Sequence, residues 1–375
     1  MRNRIWLWVL GACLLLAGTV VRAQDGISKE TILLGRSAGM TGTIAARMKP
    51  ATEAIVAYFD AVNQAGGVNG RRIKLINMDD GNDPKRAVAN VRKLVTEDKV
   101  FALFSQSGTP QTQAVLPLLE ELQVPLVGST SGADSLRKPN RFMFHAKASY
   151  GQETAKMAEH MKTTGITRVA IVYSDEGAGR EGNGLAIAAL AKEDLKPLAS
   201  IGFKPGEGKA AVDKLAALDA QAVILVSLAG PGAEFFKEFV KLPNRPQVFT
   251  WSIMVVEQIY KDVGEKAYGL VVSQIVPLPT DRTVGVVRDY QELLKKARLP
   301  DGGYSGLEAY IAARVMVEGL KRAGKSPTRA ALIAALENMR DYDMGGDLVS
   351  FTGEDHVGRR FVELTIVGRD GRFLR

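Results

Sequence analysis

The sequence predicts an α/β protein made of two similar lobes, each a mostly parallel, doubly wound sheet. Two observations carry that expectation. Short apolar runs alternate with amphipathic helical stretches over residues 31–129, the rhythm of a parallel sheet with helices on both faces. The same alternation starts again near Arg141, giving two successive units of about 120 residues, and a chain of 375 residues has room for two domains.

Residues 31–37 read as the first strand and 38–43 as the loop leaving its end. An amphipathic helix over 50–64 stops at the turn-rich GGVNG run, 66–70. A second strand, 72–79, feeds the turn that starts at Asp79 and Asp80, and a helix covers 87–97. Next comes VFALFSQSGTPQTQAVLPLLEE, 100–121: an apolar strand, a small polar turn and a helix whose first turn points back over the strand end. Residues 124–129 make a fourth strand. In the second unit, strands are expected at 141–146, 168–173, 198–203, 222–228 and 247–251, with helices at 152–162, 183–193, 211–218 and 233–240. Past Tyr268 a strand at 270–276 precedes three helices, one ending near Lys296 and the others at 304–322 and 328–339. Two strand-like segments, 348–351 and 361–367, complete sheets begun earlier, so the chain should cross between lobes more than once.

The formal charge is +8, but Arg2, Arg4 and Arg22 lie in an expected export signal. Arg2 and Arg4 precede an apolar run over 5–17, and small residues lead to Ala23, so 1–23 reads as a signal peptide and the protein as periplasmic. As an uncleaved anchor that stretch is short for a span of about 20 residues. Without those arginines, 46 basic residues face 41 acidic ones. They are scattered along helices with no basic run, which argues against a nucleic-acid surface. The only cysteine, Cys13, sits inside the apolar run, which continues through Leu14 and Leu16; the pattern fits lipidation poorly and leaves the exported chain without disulfides or thiol chemistry.

The turn at 107–109 has the makings of an anion site. Ser107, Gly108 and Thr109 are small, so a ligand can approach the backbone; Pro110 suits the first helical position and Thr109 the N-cap. Free amides and the helix dipole favour a carboxylate there, although an ordinary capped turn has the same composition. A second hydroxyl-rich turn, GSTSGA at 128–133, should emerge at the same sheet edge, and the two converge on a small polar ligand at the carboxyl ends of the strands.

Other motifs carry less. GLKRAGKS, 319–326, matches a phosphate-loop string, but a helix precedes it and Pro327 follows, which makes it a helix C-terminus. GAGREG, 177–182, follows a strand and opens a helix, yet the next strand ends without the acid that would hold a ribose; an exported dinucleotide-dependent enzyme is therefore the competing class. His145, His160 and His356 have no metal-ligand spacing, GSTSG puts Thr130 where a nucleophile elbow needs serine, and Asp79 and Asp80 point to opposite faces. Neither catalysis, nor a metal, nor a cofactor is expected.

Taken as a set, the export signal, the tandem lobes, NQAGGVNGR at 63–71 before a strand ending in Asp79 and Asp80, the Ser107-Gly108-Thr109 turn, Val124-Pro125-Leu126 and the 304–324 helix resemble the type I periplasmic binding proteins of the leucine/isoleucine/valine group. Those are the solute receptors of amino-acid ABC importers. The resemblance spans essentially the whole exported chain. It implies an N-lobe of 24–145 and 275–345, a C-lobe of 146–274 and 346–375, a three-strand hinge, closure over the ligand, a monomer, and an ABC permease in the inner membrane as partner. Position by position, it implies that Ser107, Gly108 and Thr109 take the ligand carboxylate, that Thr130, Ser131 and Gly132 supply hydroxyl and backbone groups, and that the loop around Thr43 and Arg47 rims the pocket. From the C-lobe it implies aromatic residues where this chain has Ala178 and Leu228, and an acid for an α-ammonium near Ser252, where 251–254 contains none. Arg47 stands where leucine binders tend to carry an aromatic residue. These departures suit an aromatic or other amine-free carboxylate, or an amide, as the alternative to a leucine-type amino acid.

Overall fold

The computed structural model describes residues 25–375 apart from Thr43, Leu228 and Val255, so the expected signal peptide, Thr43 of the expected rim and Leu228 of the C-lobe wall lie outside the described residues. β1 (Thr31–Ala38) and β2 (Arg72–Asp79) pair in parallel along their whole length, from Thr31 opposite Arg72 to Ala38 opposite Asp79. The crossover between them is α1 (Ala45–Gln64). α2 (Pro84–Thr96), β3 (Ala102–Phe104), α3 (Thr109–Glu121), β4 (Leu126–Val127) and β5 (Met143–Phe144) follow, completing a five-stranded parallel sheet in the order β2-β1-β3-β4-β5.

The chain then leaves for the second sheet. α4 (Tyr150–Thr163) is opened by a capping box, in which Ser149 accepts from the Gln152 amide and Gln152 reaches back to the Ser149 amide. β6 (Val169–Ser174), α5 (Gly177–Lys192), β7 (Pro197–Phe203), α6 (Gly208–Ala216), β8 (Ala222–Val226), α7 (Ala229–Phe239), β9 (Gln247–Thr250), α8 (Val256–Val263) and β10 (Val271–Gln274) build its parallel part. β6 and β8 are apolar almost throughout because helices cover both faces of the sheet. The chain returns to the first lobe as α9 (Gly285–Ala297), α10 (Gly303–Arg322) and α11 (Arg329–Glu337), makes a ribbon of β11 (Tyr342–Asp343) and β12 (Leu348–Val349), and ends in the second sheet as the antiparallel strands β13 (Glu363–Val367) and β14 (Phe373–Leu374). Three crossings thus join two doubly wound lobes: after β5, after β10 and after β12. The first and third run side by side, with the His145 amide donating to His356 O at 2.8 Å and the Gly358 amide to His145 O at 2.9 Å.

Four local expectations need correction. α1 starts one turn before Pro50, which puts Arg47 on its first turn and not in a loop. α5 begins at Gly177, so the glycine-rich run is helical. Residues 348–349 pair only with 342–343, as the second arm of a ribbon that turns at Gly345 and Gly346, both at positive φ, and join neither large sheet. The short helix α8 had no counterpart in the sequence reading.

Candidate functional site

The carboxyl ends of β1, β3 and β4 open toward the crossings, and there the two polar turns do meet. Thr109 and Ser131 share a hydrogen bond of 2.7 Å between their hydroxyls, and the Gly108 amide donates to Thr130 Oγ1 at 3.4 Å. The expected N-cap is displaced by one residue. Gly108 caps α3 with a φ of 78° and Thr109 is already helical; a side chain at Gly108 would also strike Gln111 Oε1. Ser107 is fully buried and its hydroxyl accepts from the Gly39 amide at 2.9 Å, fastening the loop after β1 to β3. Ser131 is buried and accepts from the Ala133 amide, while Gly132 lies flat against the Tyr150 ring. Of the six expected residues on these two turns, only Thr130 lines the interior spaces described next.

Those spaces are organised by charge. α1 and α10 pack side by side, which brings Arg47 against Glu308: Arg47 Nη2 donates to Glu308 Oε2 at 2.6 Å. Lys147, on the first crossing, donates to the other carboxylate oxygen at 2.8 Å and to Thr130 O at 2.8 Å. Burial would raise the Glu308 carboxyl, but Lys147 and then Arg47 outweigh it and hold it below the ordinary carboxylate range. Beside the trio is a void of about 20 Å³, room for one water-sized group, to which Thr130 and Ser105 also contribute. Arg47 and Ser305 separate it from a cleft of about 400 Å³ between the lobes, walled by Ser252, Met254, Gln274 and Tyr304. Among the described residues Lys147 has two acceptors for three N–H donors and Arg47 two for five, so both cations keep donors to offer.

The opposite wall supplies what the sequence seemed to lack. No acid stands at 251–254, yet the Glu153 carboxylate of α4 accepts from the Ser252 amide at 2.8 Å, the Ser252 hydroxyl at 3.1 Å and the Ser273 hydroxyl at 2.5 Å. Burial pushes the Glu153 carboxyl up in spite of these donors. Ser252 O in turn accepts from Arg47 Nη1 at 3.2 Å, a bond that bridges the lobes. Trp251 is pinned beside it, stacked on Tyr150 at 4.2 Å between centroids and donating to Thr154 Oγ1 at 2.9 Å. Ala178 is buried in the first turn of α5 and lines neither space. Glu153, Glu308 and Lys147 were absent from the sequence reading. Their partners lie 99 and 161 residues away, beyond any local pattern.

The profile of the family described as periplasmic binding protein matches residues 31–372. The chain belongs to that family. It is 26% identical over 321 residues to Leu/Ile/Val-binding protein homolog 3 of Brucella melitensis, covering 82% of this chain and 83% of the relative. A substrate-binding periplasmic protein from Ralstonia solanacearum superposes with a TM-score of 0.83 at 30% identity, over 92% of this chain and 99% of the other. An extracellular ligand-binding receptor from Verminephrobacter eiseniae gives 0.86 at 29% identity, over 92% and 100%.

As a periplasmic binding protein this chain is a substrate-binding protein and not an enzyme. The motifs that suggested other chemistry have structural duties here. Gly182 of the dinucleotide-like string leaves room for Trp251, whose ring a Cβ would meet at 2.1 Å. The carbonyls that end α10 in the phosphate-loop-like string are taken by Asn69 and Arg71. Asp79 fastens the loop after β1 through Thr41, whose hydroxyl donates to it at 2.6 Å, and Asp80 holds Ser37 at 2.8 Å. No group of three His, Cys, Asp or Glu among the described residues could hold a metal, and no described helix is long and apolar enough to cross a membrane.

Proposed function

We propose that this periplasmic binding protein is the exported receptor of an ABC importer and that its ligand is a small monocarboxylate without an amine. The observation that carries the reading is the pair of cations, Arg47 and Lys147, sharing one buried carboxylate and keeping donors for a second. A ligand carboxylate joining them completes an alternating ring of charge with charge-assisted hydrogen bonds. Met254, Pro50 and Tyr304 offer apolar surface in the cleft for a branched or aromatic body. Arg47 belongs to the lobe of the first sheet and Ser252 to that of the second, so a ligand touching both gains contacts only on closure and shifts the open–closed equilibrium by that difference. The closed monomer then docks on the inner-membrane permease, after removal of residues 1–23 as a signal peptide. Ser107, Gly108 and Thr109 act behind Thr130, holding its turn, and Ser131 and Gly132 do the same.

The second reading, a leucine-type amino acid, is favoured by Glu153 behind Ser252 and by the name of the Brucella relative. A thermal-shift panel on the full chain, refolded to strip carried ligand, separates them. A ligand at 100 times its dissociation constant adds about 2.7 kcal/mol. Stabilisation by branched or aromatic monocarboxylates, lost in Arg47→Met, is the expected result; stabilisation by amino acids alone would replace this reading with the second.

A further inference from the structure

Glu308 is a carboxylate planted inside a candidate anion site, which is an unusual use of a buried acid. It spends one oxygen on Arg47 and the other on Lys147, its side chain is 12% exposed, and it lines the same void as both. Its neighbours fix it there: Ser305 and Ala309 on the same helix line that void as well, and α10 is packed along α1. Across the adjoining cleft the two exposed charges, Lys261 and Asp301, offset one another. The fixed charge at the trio is therefore two cations less one carboxylate.

We propose that Glu308 is a specificity-determining residue that sets the charge of the ligand, admitting one carboxylate and rejecting a second. The inference rests on the anion reading above. A monoanion brings the trio to neutrality. A dianion overshoots, and its second carboxylate meets Glu308 at close range in a water-poor space, where like charges repel strongly. Once Glu308 and the carbonyls of Thr130 and Ser252 are served, Lys147 keeps one donor and Arg47 three, so both cations can reach a ligand carboxylate while Glu308 stays bound between them.

The test is a charge-count series read by titration calorimetry on the full chain with pentanoate and glutarate, which share a five-carbon chain and differ in the second carboxylate. Wild type should bind pentanoate at least tenfold more tightly than glutarate. Glu308→Gln, with two uncompensated cations, should cut that ratio at least tenfold. Lys147→Met with Glu308→Gln returns the count to that of the wild type and should restore the preference, which loss of packing alone would not do. Lys147→Met by itself leaves no net charge and should weaken pentanoate at least tenfold, which keeps the inference open to test even if Glu308→Gln does not fold. An unchanged ratio in a folded Glu308→Gln protein overturns the role of Glu308 alone, whereas unchanged pentanoate affinity in Lys147→Met overturns the anion reading and this inference with it. Binding of leucine with neither acid bound by wild type overturns the anion reading and this inference with it.

Discussion

Lys147 and Glu308 should be coupled in stability as well as in binding. Their side chains are 4% and 12% exposed and meet at 2.8 Å. Removing one partner of a buried pair costs about 3–5 kcal/mol because the other is left uncompensated. Arg47 still holds Glu308 at 2.6 Å in Lys147→Met, so the low end, about 3 kcal/mol, is expected. The roughly 350 described residues, unfolding in one step, have an unfolding entropy near 0.7 kcal/mol/K, which turns that loss into a melting shift of about 4 °C. Glu308→Gln should cost a similar amount, since it leaves two cations facing one another. The double variant removes both members of the Lys147–Glu308 pair and, with them, the facing cations of Glu308→Gln, so its loss should fall short of the sum by at least about 1.5 kcal/mol. Differential scanning calorimetry of the four proteins, ligand-free and at low salt, measures the cycle. A shift below about 1 °C for Lys147→Met, or additivity within about 0.5 kcal/mol, would refute the reasoning.

Trp251→Ala deletes the ring stacked on Tyr150 and should destabilise by about 3–5 kcal/mol in denaturant titration, because few neighbours can collapse into so large a gap. Gly182→Ala drives a methyl into the same ring and should cost about 1–3 kcal/mol, while NAD should protect neither it nor wild type from unfolding; protection by NAD would revive the dinucleotide reading. His145 is held neutral: burial, helped by the charge of Arg137, lowers its pKa from 6.5 to about 3. The unfolded chain therefore takes up a proton that the native state refuses, so stability present above pH 6.5 is lost as pH falls toward 3, by up to about 5 kcal/mol. Melting temperatures from pH 7 to 4 should fall less steeply in His145→Gln than in wild type, and equal slopes would contradict the assignment.

The fold was largely legible because parallel strands buried on both faces advertise themselves. The expected 72–79 strand matches β2 and the expected 304–322 helix misses α10 by a single residue. Errors fell where tertiary packing overrides local chemistry. Pro50 reads as a helix start, yet α1 runs through it. The glycines at 177–182 read as a loop, yet packing against Trp251 makes use of the missing side chain inside a helix. At the site, composition pointed to the two hydroxyl-rich turns, which do meet, and the family resemblance pointed to Arg47. It could not reveal that Ser107 would face inward, or that Glu153, on a helix assigned to the second lobe, would stand beside Ser252. Those partnerships depend on where three crossings place distant segments.

The central claim, a clamp that closes on a carboxylate held by Arg47 and Lys147, is tested most directly by calorimetric titration of ligand-stripped full chain with 4-methylpentanoate and with leucine. The two share a carbon skeleton and differ only in the α-amine. Binding of 4-methylpentanoate at least tenfold tighter than leucine, abolished in Arg47→Met, is the result the account predicts. Tight binding of leucine with no detectable binding of 4-methylpentanoate would contradict it and assign the ammonium to the wall built by Glu153 and Ser252.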